Sequence, residues 1–169
     1  MNQLTGGIPP SLGNVSSLQV LDFSLNNFVG NIPDEIGRLQ RLDYFGVVGN
    51  KMSGTFPYSL YNISTLRAIE VAANRLNGTL PANIGLTLSN IRILNIDTNE
   101  YSGPIPVSLS NASQLVFLHL DRNNFVGQVP TNLGNLLNLS RLSFSRNNFG
   151  SNSVKDLDFL TSLENCTKL

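Results

Sequence analysis

The chain has 169 residues, 41% of them hydrophobic and 13% charged, with eleven acidic against eleven basic side chains. That balance argues against nucleic acid or an anionic membrane surface as the main partner. No apolar run is long enough to span a bilayer, the start lacks the basic and apolar regions of a signal peptide, and a single cysteine, Cys166, rules out an internal disulfide.

One phrase recurs along the chain. In its clearest copy, Leu115 to Pro130 (LVFLHLDRNNFVGQVP), apolar residues stand at Leu115, Leu118, Leu120, Phe125 and Val129, with Asn123, Gly127 and Pro130 between them. Asparagines recur at Asn2, Asn26, Asn50, Asn74, Asn99, Asn123 and Asn147, glycines from Gly6 to Gly127 and prolines from Pro9 to Pro130. All three ladders step by 24 residues except for one step of 25, whose extra residue falls within Ile84 to Leu88. A fixed period of this length is the signature of a stacked solenoid, in which each turn buries its apolar face on the next.

In chain order, a short turn (SLGN, ending at Asn14) leads into a first strand at 21–23. Further strands are predicted at 45–47, 69–71, 94–96, 118–120 and 142–144. Alternation sends Leu118 and Leu120 inward and Phe117, His119 and Asp121 outward. Stacking these strands gives a parallel sheet with one strand per turn. The asparagine that ends each strand can donate and accept, so its buried amide can satisfy backbone groups of neighbouring turns. The glycine allows a tight turn, and stretches such as EIGRL are predicted as short 3-10 turns. After Asn147 the phrase breaks: there is no Gly-x-Ile-Pro, and Leu139 to Leu169 takes 30 residues instead of 24. Val154, Leu157, Leu160 and Leu163 recur at helical spacing, and Ser153 with Asp156 resembles a capping box. A longer helix is predicted near 154–163, on the convex side.

These residues resemble the plant-specific leucine-rich repeat, L-x-x-L-x-L-x-x-N-x-L-x-G-x-I-P-x-x-L-G, from Asn2 to Leu169. The segments NIGLTLSNIRILNI, GPIPVSLSNAS and DLDFLTSLENCTKL are most similar to one group of leucine-rich-repeat receptor kinases, that of the plant flagellin and elongation-factor receptors. The resemblance implies an α/β leucine-rich repeat solenoid: a right-handed superhelix with a parallel sheet on its concave face and 3-10 turns on its convex face. It implies a single domain over 1–169, about six full repeats with partial repeats at both ends. The parent would lie on the extracellular side of the plasma membrane, as a single-pass protein with a cytoplasmic Ser/Thr kinase. The kinase, the transmembrane helix and the paired-cysteine cap are not in this sequence, which reads as a fragment with both hydrophobic ends uncapped. The expected partners are an extracellular peptide or protein and a co-receptor ectodomain, in defence or developmental signalling, with no nucleic acid and no direct membrane contact by this segment. The alternatives are a secreted inhibitor of a microbial cell-wall enzyme, similar to polygalacturonase-inhibiting proteins, and a truncated product without independent function.

The sequence contains no catalytic constellation and implies no cofactor. His119 stands near Asp97 and Asp121 without a nucleophile to complete a triad. The three either hold a metal or are simply solvated, and solvation is the commoner case, so no metal is assigned. Binding is expected on the outward rows of the sheet. One row, Val20, Tyr44, Ala68, Ile93, Phe117 and Arg141, is apolar for a solvated surface, with Tyr44, Ile93 and Phe117 as anchors. Glu70, Asp97, His119 and Asp121 add polar groups. Arg122 and Arg146, on adjacent strands, either hold a peptide carboxylate or pair with Asp97 and Asp121. Gly46, Gly49, Ala68, Ala72 and Ala73 either leave a shallow depression for an extended peptide or relieve crowding on a curved sheet. Sequons at Asn14, Asn62, Asn77, Asn111, Asn138 and Asn165 are candidate glycosylation sites, although asparagine also suits turn geometry. Asn77, beside the repeat glycine, is expected to be less accessible. Cys166 fills the slot of Val15, Ile63 and Ala112 and is read as a buried apolar substitute.

Overall fold

The computed structural model describes residues 2–169. The leucine core of each turn forms a three-residue strand: Val20–Asp22, Tyr44–Gly46, Ala68–Glu70, Ile93–Asn95, Phe117–His119 and Arg141–Ser143. Each pairs in parallel with the next in chain order, giving one six-stranded sheet. The strands begin one residue earlier than the spacing predicted, because pairing starts on the outward residue that precedes the first inward one. The alternation itself stands: Leu21, Phe45, Ile69, Leu94 and Leu118 are buried. The register sets Tyr44 beside Ala68, Ile93 beside Phe117, and Phe117 beside Arg141.

A second parallel sheet, of seven strands, was not expected. It runs through Thr5–Gly6, Asn27–Gly30, Lys51–Thr55, Arg75–Thr79, Glu100–Gly103, Asn124–Gly127 and Asn148–Phe149. Its origin is a bend just before each asparagine. There Leu25, Gly49, Ala73, Thr98, Arg122 and Arg146 all have φ between 49° and 66°. The left-handed conformation redirects the chain, and the residues after the asparagine run extended along the side of the solenoid. Each of these strands after the first sends one large side chain inward, among them Met52, Leu76, Tyr101 and Phe125. A left-handed residue other than glycine costs about 1–2 kcal/mol. It persists where its surroundings over-determine it.

The asparagines supply that determination. Asn123 Nδ2 donates to the carbonyls of Leu120 at 3.2 Å and Asp121 at 2.9 Å in its own turn, and of Ile96 at 3.0 Å in the preceding turn. Its Oδ1 accepts from the amide of Tyr101 at 2.9 Å. Asn50, Asn74, Asn99 and Asn147 repeat the arrangement. The expected donating and accepting role is therefore met, and each amide ties its own bend to the turn before it.

On the convex side the chain forms 3-10 helices at Pro10–Asn14, Asp34–Arg38, Leu60–Asn62, Val107–Asn111 and Leu133–Asn135, with a short α-helix at Ile84–Thr87. A Cβ on Gly85 or Gly134 would overlap the carbonyl of Ser108 or Ser162 in the next turn, so these turns stack with backbone against backbone. Tyr61 occupies this glycine's place in its own turn, and it faces the turn that holds the extra residue. Its ring is buried against Phe56, at 4.8 Å between centroids.

The longer helix near 154–163 is a correction. The α-helix spans Asp158–Leu163 only. Ser153 and Asp156 do not cap the helix, whose N-cap is Leu157 without a side-chain cap bond; instead Ser153 Oγ accepts from the Lys155 amide at 3.2 Å and Asp156 accepts from the Ser153 amide at 3.0 Å. Asp156 also takes the Ser151 amide at 3.1 Å, closing a tight turn that delays the helix. The inward face is then Phe159, Leu163 and Cys166, and Val154, Leu157 and Leu160 point outward. Phe159 meets Phe144 edge to face, with ring centroids 5.5 Å apart.

Candidate ligand-binding face

The concave strands set their outward residues in columns across adjacent turns. Ile93, Phe117 and Arg141 are direct neighbours on three consecutive strands. Ile93 and Phe117 are half-buried, and Arg141 is exposed. The Arg141 guanidinium lies over the Phe117 ring, 5.3 Å from its centroid. The His119 ring centroid stands 6.3 Å from that of Phe117. A cation over a π face is an attractive arrangement worth about 0.5–1 kcal/mol at an exposed site. Phe117 thus neighbours both Arg141 and His119 with part of its surface open. Arg141 was not among the expected site residues. Its place beside Phe117 in the same row was the available signal.

Tyr44 and Glu70 form a separate group nearer the start of the chain. Ala68, between Tyr44 and Ile93 in the row, is buried, so the apolar row is interrupted at the surface. The Tyr44 ring folds over Gly46: a Cβ there would lie 2.7 Å from the ring and 2.8 Å from the Asp22 carboxylate. Burial, then the negative charges of Glu70 and Asp22, push the Tyr44 hydroxyl up to about 12. Leu25 similarly reaches to 3.0 Å from where a Cβ on Gly49 would stand. The small residues therefore seat Tyr44 and Leu25, and the expected depression at Gly46 and Gly49 is filled by the protein's own side chains.

The acidic residues are taken up within the protein. Asp121 Oδ1 accepts from the Ser145 amide and from its hydroxyl, each at 2.8 Å, bridging two turns. Partial burial opposes the charge, but hydrogen bonds from Ser143 and Ser145 outweigh it and hold the carboxyl below its ordinary range. Asp97 accepts from the Thr98 hydroxyl at 2.9 Å. The ion pair formed among the described residues is Arg67–Asp43, at 3.4 Å. Arg122 and Arg146 are exposed and do not pair with Asp97 or Asp121. Their left-handed backbone belongs to the repeat position, since Leu25, Ala73 and Thr98 share it, so it says nothing particular about the arginines. Among the described residues no three histidine, cysteine, aspartate or glutamate side chains are grouped to hold a metal ion.

The family model described as Leucine Rich Repeat matches residues 17–39 and 114–136. The plant peptide hormone receptor RGFR1, solved in complex with RGF2, superposes with a TM-score of 0.90 at 32% identity, over 99% of this chain and 26% of its own. The Arabidopsis receptor kinase HAESA ectodomain, solved with an IDA peptide hormone ligand, gives 0.86 at 33% identity, over 89% of this chain and 25% of its own. The chain has the fold of a leucine-rich-repeat solenoid. It resembles the ectodomains of plant receptor kinases and spans about a quarter of the length of these two. A plant ice-binding protein shares the fold, with a TM-score of 0.76 at 28% identity over 86% of this chain and 55% of its own. The solenoid alone therefore does not say what its surface binds. No curated protein matches the chain in sequence.

Within this leucine-rich-repeat frame the sequons differ in accessibility. Asn14, Asn62, Asn77, Asn111 and Asn165 are exposed, so Asn77 is more open than its glycine neighbour suggested. Asn14 and Asn77 accept side-chain bonds only through Oδ1, whereas Asn138 is engaged at the nitrogen as well: its Nδ2 donates to the Ser113 carbonyl at 3.0 Å and its Oδ1 accepts from Lys168 Nζ at 2.7 Å. Cys166 is buried, with its thiol 3.5 Å from the Leu136 carbonyl, and burial raises its pKa.

Proposed function

We propose that the chain is part of the ligand-recognising ectodomain of a plant cell-surface receptor kinase, and that it binds an extracellular peptide or protein through its concave face. The observation that carries this reading is the contiguous surface of Ile93, Phe117, His119 and Arg141, with the unpaired Arg122 and Arg146 on the adjoining bends. Aromatic and arginine side chains are the usual anchors of interfaces. An unpaired guanidinium suits a carboxylate or backbone carbonyls. Likeness to RGFR1 and HAESA, both solved with peptides, supports a peptide as the first ligand class to try. Co-receptor contact, attachment to the plasma membrane through a downstream segment, and a role in defence or development complete the proposal. We further propose N-glycosylation at the exposed sequons Asn14, Asn62, Asn77, Asn111 and Asn165, with Asn138 the least favourable.

The test is a displayed library of linear peptides panned on the wild-type chain. The enriched pool should lose binding to Phe117→Asp and keep it on Tyr58→Asp, an exposed position outside the concave sheet. A pool that binds both variants equally contradicts the concave site. A full reading frame without a membrane segment and kinase contradicts the receptor reading and favours a secreted inhibitor.

A further inference from the structure

An open polar groove runs along the other rim of the concave sheet, where the strands begin. Its first part, about 490 Å³, is lined by Gln19, Arg41, Thr65, Arg67 and Asn90 among others. Arg67 and Asn90 also line a second part of about 320 Å³, completed by Arg92 and Gln114. The two cavities therefore adjoin across consecutive turns, sharing Arg67 and Asn90. Each turn contributes from the same two places. One is three residues before its strand: Arg41, Thr65, Asn90 and Gln114. The other is the residue just before it: Gln19, Asp43, Arg67 and Arg92.

The charge in this groove is unbalanced. Three guanidiniums, of Arg41, Arg67 and Arg92, face one carboxylate, Asp43, in a chain whose overall charge is zero. Asp43 meets Arg67 at 3.4 Å, and Arg41 and Arg92 enter no ion pair among the described residues. The groove wall is held by the backbone: the Thr65 hydroxyl donates to the Leu42 carbonyl at 2.7 Å, and Asn90 Nδ2 to the Ser64 carbonyl at 2.9 Å. The site thus offers fixed walls, a surplus of donors and free guanidiniums on neighbouring turns. Stacked turns of a parallel sheet repeat about every 4.8 Å, and alternate side chains on one face of an extended ligand lie about 6.6 Å apart, so the flexible arginines of adjacent turns fall within reach of two such side chains.

We propose that this groove is a docking surface for an acidic, extended stretch of a protein partner carrying at least two carboxylates. Guanidinium recognises carboxylate through paired, charge-assisted hydrogen bonds. The side-chain amides of Gln19 and Gln114 both donate and accept, as backbone peptide groups require. No aromatic ring is among the lining residues to stack on a sugar, which favours a peptide over an acidic polysaccharide. The groove shares no lining residue with the Phe117 surface, so its occupant is a second partner or a second region of the same one.

The test is isothermal titration of the whole chain with a short acetylated peptide of alternating glutamate and glycine, beside its lysine counterpart and an oligogalacturonate. The acidic peptide should bind saturably, weaken as salt is raised, and lose about tenfold or more in affinity in Arg67→Glu/Arg92→Glu, two reversals of exposed charge. Arg92→Gln, which breaks no ion pair, should lose affinity in the same direction by less. Lys51→Glu, an exposed basic residue on the second sheet, should bind as the wild type does. Absence of peptide binding, equal loss in Lys51→Glu, or binding of the oligogalacturonate in place of the peptide would overturn the proposal.

Discussion

The central turns and the last segment reach order by different means. Around Asn99 and Asn123 the asparagine amide bonds to its own bend and also to the preceding turn, so the polar groups of one turn depend on the one beside it. From Ser151 to Asp156 the bonds are local, as Asp156 takes the amides of Ser151 and Ser153 a few residues away. The difference shows what the repeat achieves. By routing backbone groups through a buried asparagine, it frees every second strand residue from a structural role. Ile93, Phe117 and His119 can then vary toward a ligand at little cost to folding. In the last segment the same kind of apolar residue, Leu157 or Leu160, simply faces outward.

The comparison can be broken most severely at paired leucines. Leu118→Asp places a charge in a fully buried site and should abolish cooperative unfolding, whereas Leu160→Asp, at an exposed helix position, should change stability by under about 1 kcal/mol. Far-UV circular dichroism through a thermal scan checks both. Next come the asparagines. Asn123→Ala orphans the Tyr101 amide and takes one of two donors from each of the carbonyls of Ile96, Leu120 and Asp121, and should cost about 2 kcal/mol in urea unfolding, at roughly 1–3 kcal/mol for a buried group left unsatisfied. Asn147→Ala, in a half-exposed turn that water reaches, should cost about 1 kcal/mol.

Smaller effects sharpen the account of the core. The hydroxyls of Tyr61 and Tyr101 are buried without a hydrogen-bond partner of good geometry among the described residues. Burial first, and then their mutual proximity, disfavours ionisation of Tyr101. Tyr61→Phe with Tyr101→Phe should therefore be neutral or stabilising by up to about 1 kcal/mol, because no good bond is lost and two buried polar groups are removed. The smallest effect is the acid limb. A carboxyl held below its unfolded value of about 3.9 contributes stability that is present above that pH and is lost as pH falls through the lower folded value. Asp121 is such a group. Asp121→Asn should flatten the loss of stability below about pH 4 by a few tenths of a kcal/mol, since its exposure leaves most of the charge screened.

Much of the fold could be read because one period governs it. The inward leucines, the two-sided role of the asparagine, and the columns that set Ile93 beside Phe117 all follow from the spacing. The second sheet did not, because it depends on a left-handed bend at leucine, alanine, threonine and arginine, residues whose own preferences argue against that conformation. The helix face was misread at the break in the repeat, where Asp156 closed a turn that moved the start to Asp158 and brought Phe159 inward. At the candidate site the anchors were legible as outward residues, but their company was not. Tyr44 filling the space above Gly46, and Arg141 capping Phe117, depend on side-chain rotamers that a spacing rule does not contain.

Native-state amide hydrogen exchange tests most directly the claim that buried asparagines, passing bonds from turn to turn, carry the fold. The amides of Leu76 and Tyr101, which donate to Asn99 and Asn123, should exchange only through global opening, while those of Ser151 and Ser153 exchange through local opening. In Asn123→Ala the Tyr101 amide, in the preceding turn, should lose protection more than its strand neighbours do. Equal protection of Tyr101 and Ser153 in the wild type, or a Tyr101 amide indifferent to the loss of Asn123, would contradict the account.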